Sequence, residues 1–360
     1  MSLLDLVRFG KNIVSIDIGS NSIKIAEIKK RSGLSFELSK YRIVPISRDM
    51  INVNFNDNLV VDKPEFKETL NTVFSNLKIK NQKSVVMISD GNAIINWLNV
   101  KLKEGEDLDA SISDKLGTLY PTDLSNWVFN YQILEEKKDN YMVISEAILN
   151  ENMVELGNIM HDLNIWPHVL DVSCFNSINL FHNLLVSSEN SKKNVSLINI
   201  GNDATTVMIF NNAMLKSFRV IPYGGKDFTA AISESLGMTW EDAEEFKKNE
   251  RFFLREYSEE QNKLENYNII KSTFGEVVKG IYNSFDSYLA KFREFKIHKI
   301  ILYGGTANFR NINVLLQKHL NIPVVLGSDL VSIKFGGEEI LADDKNILIP
   351  AIGGFVRDDI

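Results

Sequence analysis

The stretch that decides the fold is VSIDIGSNSIKIAEI, residues 14–28. A run of β-forming residues reaches a single carboxylate, Asp17, and glycine with small polar residues follows before a second alternating run begins. This pattern predicts a β-hairpin, in which a tight turn joins two strands. A turn made of Gly, Ser and Asn lets backbone N–H groups approach an anion that a Cβ would keep at a distance. The hairpin is therefore a candidate phosphate site.

The same pattern returns about half a chain later, in LINIGNDATTVMIFNN, residues 197–212. Asn199 stands where Asp17 stood, and Gly201 stands where Gly19 stood. An internal repeat of this kind favours a two-lobed protein built from related halves. A chance likeness between two hairpins is the alternative.

A third glycine turn lies in IHKIILYGGTANFRNINVLLQKHLNIPVVL, residues 297–326. The pattern predicts a buried strand, a turn at Gly304-Gly305-Thr306, a helix from about Asn308 to His319 and a further strand. Such a βαβ unit implies a parallel strand pair, and ligands collect at the carboxyl ends of such strands. Elsewhere, we expect helices over about 110–119 and 150–162, and a mostly helical segment over 226–295.

The bulk properties limit the class of protein. A chain of 360 residues is too long for one ordinary core, so two or more domains are expected. No apolar run is long enough to span a bilayer, and MSLLDLVRF at the start is too short and too acidic for a signal peptide. That stretch is expected to be a frayed end or a small amphipathic turn that contacts a partner.

The charge and the cysteine count exclude further classes. The net charge of −7 argues against binding of nucleic acid through its phosphate backbone. The single cysteine, Cys174, excludes an internal disulfide, fits a reducing cytoplasm and is expected in the core. The chain has no G-x-x-x-x-G-K-[ST], H-E-x-x-H or C-x-x-C pattern, so a P-loop and the common zinc sites are excluded.

The two hairpins together predict a polyphosphate site between two lobes. Asp17, at the end of its strand, is suited to hold Mg²⁺ through water, because Mg²⁺ keeps most of its hydration shell. Lys24, in the second strand of the first hairpin, either reaches a phosphate or points to solvent. The Gly-Gly turn at 304–305 would accept the nucleoside. Each hairpin alone could be an ordinary turn, and only the joint pattern is specific.

The order of these motifs resembles the actin-like ATPase superfamily, and within it the PilM family, which is related to the cell-division protein FtsA. The likeness extends beyond the hairpins to four further stretches. These are YPTDLSNWVFNYQIL (120–134), FRVIPYGGKDFTAAISESLGMTWEDAEEFKK (218–248), LYGGTANFRNI (302–312) and PAIGGFVRD (350–358).

The resemblance implies an α/β fold of two actin-like lobes, each related to ribonuclease H, with an α+β subdomain inserted into the first lobe. Lobe one would comprise residues 1–82, 163–194 and 348–360. The inserted subdomain would comprise 83–162, and lobe two 195–347.

The resemblance also implies an ATP and Mg²⁺ site in the cleft between the lobes. The first phosphate site would contain Asp17, Gly19, Ser20, Asn21, Ser22 and Lys24, with Asp17 holding the metal through water. The second would contain Asn199, Gly201, Asn202, Thr205 and Thr206, with Gly224 and Gly225 lining the cleft. The nucleoside site would contain Glu244, Lys247, Gly304, Gly305, Thr306 and Asn308. For Glu244 and Lys247, an exposed ion pair is the alternative.

Among the departures from the family pattern, two replace an aspartate with an asparagine, and Gly354-Phe355 replaces Leu-Ala in the closing motif. Asn199 replaces an aspartate, and Asn130 replaces the aspartate of an LDYQ stretch. An amide cannot supply negative charge to Mg²⁺ or accept a proton from an attacking water. We therefore expect nucleotide binding with weak or absent ATPase activity, and no catalytic residue is assigned. Asp171 is a candidate to position a water, but it could equally cap the following helix together with Ser173.

The resemblance implies a cytoplasmic scaffold of the type IV pilus assembly platform, held at the inner membrane through its partner and without direct membrane insertion. That partner is a PilN-like membrane protein, whose N-terminal cytoplasmic peptide would lie between the first lobe and the inserted subdomain. Segments 93–102 and 127–134 are candidates for this groove, unless Trp97 and Trp127 are core. Further partners could be the pilus motor ATPases, the platform protein or other copies of the chain in a ring.

Two other functions share these motifs. A catalytic ATPase or small-molecule kinase of the superfamily would need an acidic base for its substrate, and Asn199 argues against it. An FtsA-like filament former would carry an amphipathic membrane helix at its end, whereas this sequence ends in GGFVRDDI.

Overall fold

The structure is a computed structural model that describes residues 13–80, 82–119, 124–249, 254–255 and 261–356. Several predictions include positions outside these ranges: the stretch MSLLDLVRF at the start, residues 120–123 of the stretch 120–134, residues 250–253 and 256–260 of the segment 226–295, residues 357–358 of the closing stretch, and the corresponding parts of the predicted lobes.

The strands, in chain order, are β1 (Ile13–Ile18), β2 (Ser22–Ser32), β3 (Ser35–Pro45), β4 (Gln82–Ile88), β5 (Ile94–Lys101), β6 (Trp127–Lys137), β7 (Asn140–Leu149), β8 (Ile165–Val172), β9 (Asn194–Ile200), β10 (Thr205–Asn211), β11 (Met214–Ile221), β12 (Lys299–Tyr303), β13 (Val324–Leu326), β14 (Ser332–Phe335) and β15 (Glu338–Glu339). The helices are α1 (Lys63–Leu77), α2 (Leu108–Leu119), α3 (Asn150–Asp162), α4 (Ser173–Leu185), α5 (Gly225–Leu236), α6 (Trp240–Lys248), α7 (Gln261–Phe292), α8 (Ile312–Leu320), α9 (Gly327–Leu330) and α10 (Ala342–Gly353).

Two sheets share one topology. The larger sheet contains the order β3-β2-β1-β4-β8, and the second sheet has the order β11-β10-β9-β12-β13. In both, three antiparallel strands are followed by two parallel ones. The duplication that the two hairpins predicted is therefore confirmed in the fold, and β14 and β15 extend the first sheet beyond β3.

The first hairpin stands at the centre of its sheet. All six residues of β1 are buried, because β1 lies between β2 and β4 and both faces of the sheet are covered. Asp17 lies opposite Lys24 of β2 and beside Met87 of β4. The carboxylate therefore sits at the carboxyl end of a buried strand, which is where the alternation of the sequence predicted it.

Helices α4 and α10 pack against each other at very short range. Gly353 of α10 lies so close to α4 that a Cβ there would stand 1.8 Å from the backbone oxygen of Asn176. Helix α10 also contacts β1 and β2 of the first sheet and β12 of the second. One continuous apolar core includes residues of both sheets together with these two helices. The two helices therefore join the two lobes.

A separate three-stranded sheet, in the order β5-β7-β6, forms the inserted unit. Helix α2 covers one face through a small core that contains Leu98, Ile112, Leu116 and Val143. Strand β4 belongs to the large sheet, and α3 packs on β8. By sheet membership, the inserted unit spans 94–149, a shorter range than the predicted 83–162, and we propose these bounds for it.

Several local predictions are confirmed. The described residues of the segment 226–295 are mostly helical, and α3 has the predicted bounds of 150–162. Cys174 is fully buried. The helix predicted to start near Asn308 instead starts at Ile312, because a 3-10 turn over Gly305–Asn308 and a left-handed Asn311 precede it. Among the described residues, no helix combines the length and the apolar character needed to cross a membrane.

Candidate functional site

The first hairpin holds a buried carboxylate at the base of its turn. The Gly19 N–H donates to the Ser22 carbonyl at 3.2 Å and closes the turn. Asp17 is 3% exposed, and its Oδ2 lies 3.3 Å from Lys24 Nζ. Its Oδ1 accepts a hydrogen bond of 2.6 Å from the Ser173 hydroxyl at the start of α4. Lys24 therefore faces Asp17 rather than open solvent.

The second hairpin has the same turn closure, with the Gly201 N–H donating to the Ala204 carbonyl at 3.0 Å. Gly224 packs behind this turn, and a Cβ on it would stand 2.5 Å from the Asn202 carbonyl oxygen. The Thr205 hydroxyl turns away from the cleft and donates to the Tyr223 carbonyl at 2.8 Å. Thr205 and Gly224 therefore support the hairpin from behind and do not line the cleft.

The two hairpins contact each other directly. The Asn202 side-chain amide donates to Ser20 Oγ at 3.0 Å, and the Ser20 hydroxyl donates to the Asp203 carboxylate. The other oxygen of Asp203 pairs with Lys226 at 3.0 Å. These contacts join a turn of lobe one to a turn of lobe two, so a ligand that separates or replaces them acts on both lobes at once.

Asp90 forms a second bridge between the lobes. Its Oδ1 accepts from the Cys174 N–H at 2.9 Å, and its Oδ2 accepts from the Thr206 hydroxyl at 2.6 Å. Burial raises the pKa of Asp90, although these two hydrogen bonds oppose the rise. Asp90 lies just after the end of β4, and Asp17 lies near the end of β1. An acid at the end of a buried strand was the only sequence signal for Asp90.

The end of the cleft that was predicted to accept the nucleoside is built on the Gly-Gly turn. Gly304 has φ +95°, and a Cβ there would lie 2.7 Å from the Ile200 carbonyl oxygen, so only glycine fits. The Thr306 hydroxyl donates to the Gly201 carbonyl at 3.2 Å. The Asn346 amide of α10 donates to Asn308 Oδ1 at 2.9 Å. The turn is therefore fixed to the second hairpin and to the helix that joins the lobes.

A buried ion pair closes the cleft at α6. Lys247 Nζ lies 2.5 Å from Glu244 Oε2 and donates to the Gly225 carbonyl at 3.0 Å and to the Thr229 hydroxyl at 2.7 Å. Burial lowers the pKa of Lys247. Burial raises the pKa of Glu244, but Lys247, Thr229 and Lys248 together bring it below its ordinary value. The pair is 8% and 15% exposed, so the alternative of an exposed ion pair is wrong.

These elements enclose a cleft of about 350 Å³. Most of the predicted site residues line it together: Asp17, Gly19, Ser20, Asn21, Ser22, Lys24, Asn199, Gly201, Asn202, Thr206, Gly225, Glu244, Lys247, Gly304, Gly305, Thr306 and Asn308. The cleft also contains charged or hydroxyl groups that the motifs did not predict: Asp90, Ser173, Asp203, Lys248, Arg310 and Asp343.

Asp171 does not line the cleft. It lies in β8, is 5% exposed, and its Oδ1 accepts from the N–H of the next residue, Val172, at 2.8 Å. Helix α4 begins at Ser173, and no side chain caps it. The prediction that Asp171 caps this helix is therefore wrong, because its carboxylate accepts a hydrogen bond from the strand backbone and not from the first turn of α4. Because Asp171 lies outside the lining of the cleft, its position does not support a role in positioning a water there.

The cleft fits a metal-bound nucleotide better than a free one. Five carboxylates line it, those of Asp17, Asp90, Asp203, Glu244 and Asp343, beside the cations Lys24, Lys247, Lys248 and Arg310, and these carboxylates would repel a bare triphosphate. Within the residues that the structure describes, no three acidic, His or Cys side chains cluster closely enough to chelate a metal directly. Mg²⁺ bound by phosphate oxygens and water, with Asp17 in contact through water, satisfies both observations.

Comparison with known proteins identifies the family. Residues 15–357 match the family described as type IV pilus assembly protein PilM. The chain belongs to the PilM family. In fold, it is similar to a chain of a PilM–PilN type IV pilus biogenesis complex, with a TM-score of 0.79 at 18% identity, covering 96% of this chain and 98% of that chain.

Other proteins match this PilM family member either in fold or over part of its sequence. MreB 5 of Spiroplasma citri bound to AMPPNP superposes with a TM-score of 0.53 at 13% identity, covering 97% and 96% of the two chains. FtsA of Bacillus subtilis is 43% identical over 63 residues, which is 18% of this chain and 14% of FtsA. FtsA of Buchnera aphidicola is 26% identical over 179 residues, which is 44% of this chain and 42% of FtsA. The alignments thus span less than half of these relatives.

Proposed function

We propose that this PilM family member is a cytoplasmic scaffold of the type IV pilus inner-membrane platform that binds ATP and Mg²⁺ between its lobes and a PilN-like peptide on its inserted unit. The observation that carries the proposal is the cleft itself. Three glycine turns from two lobes converge on one space, whose walls carry polar backbone groups, hydroxyls and charges beside apolar side chains such as Ile43, Phe309 and Ile347. Nucleotide-bound MreB 5, which shares the fold, supports a nucleotide there.

Nucleotide acts by stabilising one arrangement of the lobes. The described contacts between lobes at the cleft are few and polar: Ser20 with Asp203, Asn202 with Ser20, and Asp90 with Thr206. A ligand that contacts both hairpins adds its binding free energy to the closed arrangement only. Asn199 lies in the second hairpin and supplies no charge, and Asp90 and Asp203 are both engaged in hydrogen bonds. Binding without rapid hydrolysis is the outcome that this chemistry favours.

A contact between the inserted unit and lobe two links the cleft to the partner surface. The Trp97 ring of β5 packs edge-on against Phe292 of α7, with ring centroids 5.7 Å apart, and Lys291 Nζ lies 4.4 Å from the centre of the Trp97 ring. Beside them, Lys216 of β11 pairs with Glu135 of β6 at 3.4 Å. Movement of lobe two therefore pulls directly on the unit that would hold the peptide.

Trp97→Ala is expected to uncouple the two sites. In the parent protein, we expect Mg·ATP to change the affinity for a PilN-like peptide by about fivefold or more, and in Trp97→Ala this ratio should fall toward one. Trp97→Phe keeps a ring against Phe292 and should retain the coupling. Calorimetric titration of peptide with and without Mg·ATP measures the ratio. A full ratio in Trp97→Ala would show that the coupling runs elsewhere.

The partner surface itself is better placed on β6 than on β5. Segment 93–102 was a candidate for exposed apolar residues, but Ile94, Leu98 and Val100 are buried, so that part of the prediction is wrong. Trp127 is also core, at 8% exposure. In contrast, Phe129 and Ile133 are 36% and 44% exposed.

Strand β6 has an edge to which a peptide could pair. Within the described residues, no strand pairs with its outer edge. An extended peptide that adds a strand there would satisfy its backbone groups and place side chains over this pair.

Removal of the two exposed side chains of β6 should weaken peptide binding. We expect Phe129→Ser with Ile133→Ser to lower the affinity for the N-terminal cytoplasmic peptide of the PilN-like protein by about tenfold or more, because both side chains lose apolar contact area. Val154→Ser, which changes another exposed apolar residue on α3, should leave the affinity unchanged. The titration uses the full chain with Mg·ATP present. Equal affinities for all three proteins would remove β6 as the docking edge.

A further inference from the structure

The turn that follows α7 presents an aromatic side chain entirely to solvent. Phe295 is 98% exposed, the most exposed of the large apolar side chains found among the described residues. A side chain this exposed protrudes from a convex surface and touches almost nothing of its own chain. A single exposed apolar side chain is ordinary on a protein surface. Phe295 is a candidate contact because it is almost fully exposed and because cations lie on the segments around it.

Two segments of the chain that carry several cations meet beside Phe295. The N–H of Asn194 donates to His298 Nδ1 at 3.0 Å, and the Asn194 amide donates to the Lys296 carbonyl at 2.9 Å. These bonds hold the start of β9 against the residues that precede β12. We call the resulting group the basic turn surface, and it comprises Phe295, Lys192, Lys193, Arg293, Lys296 and Lys299.

The positive charge of this surface is only partly compensated. Lys193 lies 3.9 Å from Glu189, at the limit of an ion pair. Glu294 is occupied by the amides of Asn194 and Asn211 at 3.1 Å each. Burial lowers the pKa of His298, and Lys296 and Lys193 add to that effect, as expected beside excess positive charge. The two segments, 189–194 and 293–299, together carry five cations and two carboxylates, on a chain whose net charge is −7.

We propose that the basic turn surface contacts an anionic lipid membrane directly, with Phe295 entering the headgroup region and the surrounding cations facing acidic headgroups. A membrane fits because it is soft enough to cover a protruding ring without a matching pocket. Diffuse lysines on separate segments also suit mobile headgroups, each adding attraction near an anionic surface. The surface lies at the amino ends of β9 and β12, about 20 Å from the cleft at their carboxyl ends, so nucleotide and membrane can be bound together.

Lysine 291 is not part of this surface, because its ammonium group lies over the Trp97 ring. The proposal concerns peripheral contact by a turn, and it holds whether or not a PilN-like partner also tethers the protein. It is therefore tested on the full chain alone, without peptide or nucleotide.

The experiment is co-sedimentation of the full chain with vesicles of phosphatidylcholine alone and of phosphatidylcholine with phosphatidylglycerol in equal parts. We expect binding only to the anionic vesicles, and loss of binding at about 0.5 M salt, where charges are screened within a few ångström. Phe295→Ser should weaken binding by about tenfold, because the apolar contact is lost. Lys192→Gln with Lys296→Gln should also weaken it by about tenfold or more.

The matched control is Tyr282→Ser, which changes another exposed aromatic, 61% exposed, about 15 Å back along α7. This variant should bind like the parent, and all variants should keep the parent's thermal midpoint because the changed side chains are exposed. Absence of binding to anionic vesicles at low salt, or binding that neither test variant weakens, would overturn the proposal. Capture on a polyglutamate resin that the lysine variant abolishes, without vesicle binding, would assign the surface to an acidic protein instead.

Discussion

Asp17→Asn is expected to lower the affinity for Mg·ATP by about 100-fold, which corresponds to about 2.7 kcal/mol. Asparagine keeps the shape and can still accept the hydrogen bond from Ser173, so the loss isolates the charge. That charge is what a hydrated Mg²⁺ would contact. Without it, the metal bound to the phosphates loses its nearest protein anion, and Lys24 loses its partner at 3.3 Å.

The dependence on the metal separates this role from general damage to the cleft. In excess EDTA, Asp17→Asn should bind ATP at least as well as the parent, because the carboxylate repels a bare triphosphate. Asp57→Asn, the same chemical change in a loop of lobe one outside the cleft, should leave both affinities unchanged. Calorimetric titration of the three proteins with Mg²⁺ and with EDTA gives the six affinities. A loss of the same size in EDTA would show that Asp17 maintains the cleft and does not act through the metal.

Folding of the variant is the necessary check, since Lys24 is only 14% exposed and would be left without its counter-charge. The double variant Asp17→Asn, Lys24→Met removes both charges of the pair and restores electrical neutrality. It should fold if the single variant does not, and it should still lack the preference for Mg·ATP over ATP. Retention of that preference in a folded double variant would contradict the assignment of Asp17.

Gly353→Ala is expected to lower the free energy of unfolding by about 3 kcal/mol or more. The added Cβ would stand 1.8 Å from the backbone oxygen of Asn176 and 2.5 Å from its carbonyl carbon. A backbone atom cannot turn aside as a side chain does, so α10 and α4 must separate. Because these helices join the two lobes, the damage should reach the cleft as well as the core. Thermal and urea unfolding measure the loss.

Gly157→Ala is the matched control for that change. Gly157 lies within α3, and an added Cβ there would meet nothing within 4 Å. The same methyl group should therefore stabilise the protein by about 0.5–1 kcal/mol, through the lower conformational entropy of the unfolded chain and the better helix propensity of alanine. Destabilisation of equal size in both variants would mean that the short distance between α10 and α4 does not explain the effect.

The local elements of this protein could be predicted from its sequence because their signals are local. A strand that ends in Asp17 and a turn of Gly, Ser and Asn specify a hairpin wherever they occur, since backbone sterics and turn chemistry act within a few residues. The repeat of that pattern indicated the duplication, which the shared strand order of the two sheets confirms. Most residues named for the cleft do line it, because the turns that carry them were recognised as turns.

The sequence could not predict contacts between residues that are distant along the chain. Asp90 and Thr206 meet across 116 positions, and Trp97 meets Phe292 only because β5 lies against lobe two. Asp171 shows the converse, since an acid two residues before a helix is a fair candidate for a cap until the strand is seen to continue through it. The boundary of the inserted unit also depended on which sheet contains β4. That could not be predicted, because the sequence of one strand does not specify the strand with which it pairs.

The sequence by itself therefore determined the hairpins, the glycine turns, the absence of charge at Asn199 and the two-lobed plan, all of which follow from residue type and short-range spacing. The tertiary structure alone decided which acids face the cleft, which aromatic of the inserted unit touches lobe two, and that Phe295 protrudes among lysines from a distant segment. The physical reason is the same in each case. Burial, pairing and exposure are properties of neighbours in space, and the packing of helices and sheets selects those neighbours.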